Sequence, residues 1–405
     1  MALSYLLGLG GTVDYEMEWD GELLTRRLLA EGITQIPASA PREIVDERDL
    51  LQAIVFHLST GSGGEYFVRD DLVIERFVAN AAYRVTLGGT GVRAARALDA
   101  WGMRSTVHLV SENRYFEQLL PTRVESVSSA TQPSVDPHLI IQFAAQDTVT
   151  VGDVRLIASR ANRIIFTADE PNRMLRLVPD LPEQVAAHDV FLISGLNSIR
   201  QRTVLDSRVA ELRDACMPDM ARPSAARTLV IAEHAAYHVR GFSRVALEQV
   251  SVLCDVYGLN EDELSELVGR PVDVRDPGDV IPALHECVEI VAARHVLVHT
   301  HAWAAVVGPQ AGRYATALRR ANITAAARYR WGDEATRDSF EQVGRLPRNE
   351  EGSRIAGAIE RAFPGAQADP GYVVETRTPT TIGLGDCFVG GFLAGLEESH
   401  VPTRP

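Results

Sequence analysis

The stretch from Thr380 to Leu396, TTIGLGDCFVGGFLAGL, carries the most chemistry per residue. Gly383, Leu384, Gly385 and Asp386 read as a loop that opens a helix, whose small residues Gly390, Gly391, Ala394 and Gly395 permit close packing. A helix start has backbone N–H groups without intrahelical acceptors and the positive end of the helix dipole. It therefore suits a phosphoryl group, and glycines let the main chain approach one. Asp386 then stands where a carboxylate can accept a proton from an attacking hydroxyl. The same letters would also serve as an N-cap aspartate on a glycine-rich loop. The chain has no lysine, so all 40 basic residues are arginine. That excludes a Walker-A lysine, a Schiff base and a pyridoxal phosphate anchor, and leaves any cationic clamping of phosphate to arginine.

Other reactive residue types lead less far. His234 and His238 are four apart and His299 and His301 two apart, but no H-E-x-x-H occurs and neither pair has an evident third ligand. His299 and Thr300 end the apolar run HVLVHT, and His299 is expected to have no catalytic role. Cys216, Cys254, Cys287 and Cys387 never form C-x-x-C, which argues against a zinc site or a disulfide scaffold and fits a reducing cytoplasm.

The elements that must position Asp386 follow from the apolar runs. DVFLISGL at 189–196, TLVIAE at 228–233 and HVLVHT at 295–300 are continuous rather than alternating, and a helical pattern follows each. This predicts a parallel sheet covered by helices on both faces, an α/β core. Between about Asn113 and Asn172, HLIIQF, DTVTVGDVRLIAS and NRIIFTAD read as strands joined by polar turns, a β-rich insertion. Gly61, Gly63 and Gly64 mark another turn into a strand, and the acidic stretch from Tyr15 to about Asp46 is expected to leave the core with them. A lid that closes over a ligand would be built this way. With 405 residues, a net charge of −14 and no uninterrupted apolar stretch of membrane-spanning length, the expectation is a soluble protein with a small-molecule ligand, no nucleic acid and no membrane.

In this setting the sequence resembles the ribokinase-like carbohydrate kinase superfamily, whose GxGD motif supplies the catalytic base, here Asp386 with Gly383 and Gly385. VTLGGTGVRAARALDAWGMRSTVHLVSEN at 85–113 is similar to the di-glycine segment, so Gly88 and Gly89 would approach the sugar at a hinge. GLNEDEL at 258–264 is similar to the NxxE motif, giving Asn260 and Glu263. An acidic helix start would give the same letters. The length, the β-rich insertions, GLNSI at 195–199 and NITAAARYRWGD further resemble the ADP-dependent glucokinase and phosphofructokinase family within it. That resemblance touches most of the chain.

The resemblance implies a three-layer α/β/α core with a mainly β-sheet lid. The large nucleotide-binding domain would comprise 1–14, 46–60, 86–112 and 173–405, and the lid 15–45, 61–85 and 113–172. It implies Mg²⁺ organised by Glu233, Asn260 and Glu263, sugar held by Asp14, Glu65, Gly88 and Gly89, nucleotide phosphates reached by Arg160 or Arg163 of the lid, and His299 with Thr300 lining the nucleotide side of the sheet edge. Two motifs depart from the family: its HxE falls on Ile231-Ala232-Glu233, and its NxNVD becomes Gly10-Gly11-Thr12-Val13-Asp14, keeping only the aspartate. Thr90 replaces a longer polar residue. Glu65 resembles the lid glutamate that favours an unphosphorylated sugar, since a carboxylate accepts hydroxyl hydrogen bonds and repels phosphate. The expected activity is ADP-driven, Mg²⁺-dependent phosphorylation of a sugar such as glucose by a cytoplasmic monomer. An ATP-dependent sugar or nucleoside kinase of the same superfamily, and a catalytically silent sugar- or nucleotide-binding regulator, stay open beside it.

Overall fold

The structure, a computed structural model, describes residues 2–220, 227–239, 241–376 and 379–398. The apolar runs form a nine-stranded sheet. Its spatial order is Gln367–Pro370, Trp303–Val307, His295–His299, Val256–Asn260, Leu229–Glu233, Val190–Ile193, Tyr5–Leu7, Ser105–Leu109 and Val124–Ser128. The seven strands from His295–His299 onward run parallel, and the two at the other edge are antiparallel.

Successive side chains of a strand point to opposite faces, and the core divides accordingly. Tyr5, Leu7, Ile231, Val256 and Leu297 join one buried cluster, whereas Leu6, Phe191, Val230, Tyr257 and Val296 join another. The first cluster is covered by helices Thr90–Ala100, Ala315–Trp331 and Leu384–Gly395, the second by helices that include Pro277–Ile290 and Glu350–Ala362. This is the expected three-layer α/β/α core. Helix Leu384–Gly395 packs between the other two helices of its face. Its glycines 390, 391 and 395 meet Ala94 and Ala97, Ala321, and Ala317, where no side chain would fit.

A second sheet of five strands, ordered Gly64–Phe67, Asn162–Thr167, His138–Phe143, Thr12–Met17 and Tyr83–Gly88, forms the mainly β lid. Thr148–Val151 and Val154–Ile157 make a separate hairpin. Four of the expected boundaries differ: strands Thr12–Met17 and Tyr83–Gly88 lie wholly in the second sheet, although 12–14 and 86–88 are expected in the large domain. Val124–Ser128, placed in the lid from its β-rich surroundings, pairs in parallel with Ser105–Leu109 at the edge of the large sheet. Helix Glu47–Thr60, placed in the large domain, sits against the lid, where His57 Nε2 lies 2.6 Å from the Tyr66 hydroxyl and Glu47 pairs with Arg27 at 3.2 Å. In these last two cases the segment is placed by contacts with another element, 9 to 20 residues away in sequence, which the pattern within the segment does not specify. No helix among the described residues is long and apolar enough to cross a membrane.

Candidate active site

Gly383 is the N-cap of helix Leu384–Gly395 and adopts φ +68°, a left-handed conformation costly for any residue with a side chain. The Cys387 N–H donates to Gly383 O at 3.0 Å, so the amides up to Asp386 precede the helix's own hydrogen bonding and have no intrahelical acceptor. Behind this turn, buried Arg328 donates from Nε to Ile382 O at 3.1 Å. The Asp386 side chain stays 26% exposed, which a proton acceptor for an external hydroxyl requires. Thr90 Oγ1 donates to its Oδ1 at 2.7 Å, and Arg93 Nε lies 3.7 Å from its Oδ2.

Arg93 extends the site toward the lid. Its guanidinium donates to Asp14 Oδ2 at 2.9 Å, while Thr12 donates to Asp14 Oδ1 at 2.7 Å. Gly88 pairs with Thr12 across the sheet, and a methyl on Gly88 would fall 2.3 Å from Asp14 Oδ2, so a side chain there would displace the carboxylate. Asp14, Gly88, Gly89, Thr90 and Asp386 are thus gathered at one place, where the first lid strand meets the helix that follows the glycine pair.

His138 continues the cluster, lying 3.9 Å from Asp14 and 2.9 Å from Asp169. Burial opposes its charge, but the Asp169 and Asp14 carboxylates outweigh it and hold its pKa above the usual histidine value. Glu65, on the lid strand Gly64–Phe67, is half-exposed and lies 3.6 Å from His238 Nδ1. Arg200 lies over the neighbouring Phe67 ring. Its Nε and one terminal nitrogen are buried without a hydrogen-bond partner among the described residues, and burial together with the Arg173 cation pushes its pKa down to about 10.

At the carboxyl ends of the large-sheet strands, Glu233 accepts a 2.7 Å hydrogen bond from, or shares a proton with, His299 Nε2. The His299 ring stacks on Phe388 of helix Leu384–Gly395 at 4.5 Å between centroids, which ties this end of the sheet to the GxGD helix. Burial disfavours the His299 charge, but the Glu233 carboxylate beside it prevails and raises the pKa. Asn260 and Glu263 form a capping box. The Asn260 side chain accepts from the amides of Asp262 and Glu263, and Glu263 Oε2 accepts from Asn260 N–H at 2.9 Å. Burial and the Glu233 carboxylate push Glu263 up to about 7. The Thr300 hydroxyl is used within its own turn, donating to Trp303 O at 2.9 Å. The remaining histidines have local partners: His234 meets Tyr257 and Ser243, and His301 meets Glu261.

Arg160 and Arg163 are not brought to Asp386. Arg160 donates to Gly61 O at 2.7 Å, and Arg163 lies on strand Asn162–Thr167 opposite Gln142. Neither forms an ion pair among the described residues, so each is a cation on the lid without a charged partner there. Arg93, His138 and Arg200 escaped the sequence reading. For Arg93 a signal existed, because in TGVRAARALDA it is the charged residue three positions after Thr90, on the same helix face.

Taken together, the arrangement can hold an alcohol beside a partly exposed carboxylate and a phosphoryl group over a row of main-chain donors. The family model for the ADP-specific phosphofructokinase/glucokinase conserved region matches residues 4–343. A phosphofructokinase from Pyrococcus horikoshii OT3, in a crystal structure with AMP, has a TM-score of 0.80 to this chain at 18% identity, covering 98% of each chain. An ADP-dependent kinase in complex with fructose-6-phosphate and ADPβS gives a TM-score of 0.72 at 15% identity, over 98% of this chain and 94% of that one. A last common ancestor of ADP-dependent phosphofructokinases from Methanosarcinales gives 0.73 at 16% identity, over 99% and 94%. At such identities the likeness to these structures is one of fold. No curated protein sequence matches the chain.

Proposed function

Because the chain belongs to the ADP-specific phosphofructokinase/glucokinase family, and so to the ADP-dependent sugar kinases, we propose that it transfers the terminal phosphoryl group of ADP to a hydroxyl of an unphosphorylated sugar such as glucose. The observation that carries this reading is the partly exposed Asp386 carboxylate at the start of helix Leu384–Gly395, gathered with Asp14 and Gly88 through Arg93. The sugar lies against Asp14, Gly88, Gly89 and Glu65. Asp386 takes the proton of the attacking hydroxyl as the oxygen reaches phosphorus, and the amides of Gly383 to Asp386 hold the charge on the transferred group. Arg160 or Arg163 reaches the phosphates when the lid shuts, and closure keeps water from competing as acceptor. His299 lines the nucleotide side, whereas Thr300 contributes through the shape of its turn.

The donor set fits Mg²⁺. Glu233 and Glu263 each have one carboxylate oxygen that accepts no hydrogen bond among the described residues, and their mutual repulsion marks a place short of positive charge. Among the described residues no group of three or more acidic, histidine or cysteine side chains is placed to hold a metal ion by itself, so most ligands of an ion here would have to be waters and phosphate oxygens. Glu233 and Glu263 would hold it, with Asn260 fixing Glu263 through the capping box, and when bound it neutralises phosphate charge. Chelation with EDTA should abolish turnover and added Mg²⁺ restore it. Glu233→Gln and Glu263→Gln should raise the Mg²⁺ concentration for half-maximal rate by about 10- to 100-fold. A metal-independent rate would remove this part of the proposal.

One observation favours a second acceptor class. Arg200, partly buried over the Phe67 ring and beside the Arg173 cation, has two guanidinium nitrogens buried without a hydrogen-bond acceptor among the described residues, and an anion such as a sugar phosphate would satisfy them. A coupled assay of ADP against ATP, with glucose and fructose-6-phosphate as acceptors, decides both donor and acceptor. If the acceptor is glucose, Glu65→Ala lowers kcat/KM for it by about tenfold or more and Arg200→Ala changes it little. The reverse pattern, with fructose-6-phosphate preferred, assigns the phosphate to Arg200. Transfer from ATP alone would overturn the ADP assignment.

A further inference from the structure

We propose that Arg93 is a positioning residue that ties the sugar-holding carboxylate of Asp14 to the proton-accepting carboxylate of Asp386. The inference rests on the sugar-kinase reading of those two aspartates and gives a role to a residue to which neither the GxGD nor the di-glycine resemblance assigned one. Arg93 is 4% exposed, so its charge has to be answered locally, and two carboxylates from distant parts of the chain answer it. The grip is two-sided at each aspartate. Thr90 and Arg93, three residues apart on one helix face, reach Oδ1 and Oδ2 of Asp386; Thr12 and Arg93 reach Oδ1 and Oδ2 of Asp14. The helix that carries Thr90 and Arg93 starts directly after Gly88 and Gly89. One rigid element therefore sets the distance between the acceptor's anchor and its base. A planar guanidinium can address both carboxylates at once through Nε and a terminal nitrogen, whereas an ammonium is a single point charge that reaches one of them.

The test compares kcat, KM for the sugar and KM for ADP in Arg93→Lys, Arg93→Met, Asp14→Asn and the double variant Arg93→Met with Asp14→Asn. Arg93→Lys keeps the buried charge and should fold, with kcat down by about 10- to 100-fold, a raised KM for the sugar and an unchanged KM for ADP. A purely structural role would lower only the amount of active protein, scaling kcat while both KM values stay at wild type. Arg93→Met strands two carboxylates and is at risk of misfolding. The double variant removes one of them, so it should recover the melting temperature yet remain slower than Asp14→Asn alone. Wild-type kcat and sugar KM in Arg93→Lys, or a double variant as fast as Asp14→Asn, would overturn the proposal. If the wild-type protein itself moves no phosphoryl group to any sugar, the functional reading fails first, and Arg93 falls with it.

Discussion

Asp386→Asn should lower kcat by about 10²- to 10⁴-fold, the usual worth of a positioned general base, while leaving ADP affinity within a few-fold of wild type. The amide keeps the shape of the carboxylate and can still accept the 2.7 Å hydrogen bond from Thr90. It cannot take a proton from the sugar. The side chain is 26% exposed and its contact with Arg93 is long, at 3.7 Å, so the substitution should shift the melting temperature by no more than about 3 °C. Steady-state kinetics, a titration with ADP and a melting curve together check this. Loss of folding instead would mean that Asp386 serves chiefly as a structural partner of Thr90 and the buried Arg93, and undiminished turnover would remove it from the chemistry.

The second large effect belongs to Gly383→Ala. At φ +68° a Cβ costs roughly 1–2 kcal/mol in backbone strain, and here it would also lie 2.6 Å from Arg93 Cδ and 2.9 Å from one of its terminal nitrogens. The guanidinium must move, and it is the group shared by Asp14 and Asp386. The amides that follow tilt with the turn. We expect kcat/KM to fall by about 10²- to 10³-fold, the scale of losing one preorganised main-chain donor, with a stable fold retained. Gly385→Ala is the control. Its Cβ would meet only His299 Cε1, at 3.5 Å, an ordinary contact. The protein should accept that methyl without loss of stability, so any loss of ADP affinity would report on the phosphate's own approach to the helix start. Equal activity in the two variants would show that the turn at Gly383 does not align the donors.

Some of this site was legible before any coordinates. A glycine loop followed by an aspartate and an apolar, small-residue helix is a local pattern, and local geometry makes it a row of unclaimed amides. The same holds for Asn260 and Glu263, whose three-residue spacing closes a capping box within one turn. The buried strands were legible for a similar reason: Val190–Ile193 and His295–His299 are buried throughout, as continuous apolar runs demand.

What the letters left undecided was pairing at a distance. Arg93 is one of 40 arginines, and although its spacing puts it on the helix face of Thr90, nothing in its neighbourhood says which carboxylates it will meet there. Val124–Ser128 lies among segments that build the second sheet, yet it becomes the edge strand of the large sheet because Ser105–Leu109 offers it backbone partners. Likewise, Glu65 of the second sheet meets His238, and Arg200 meets Phe67 of that sheet, each across more than 100 residues of sequence. Secondary structure follows from periodicities of two and 3.6 residues, which neighbours in sequence settle. The ion pairs that join Asp14, Arg93 and Asp386 are settled only when the elements that carry them pack, because a charge finds its partner through shape and burial, not through spacing along the chain.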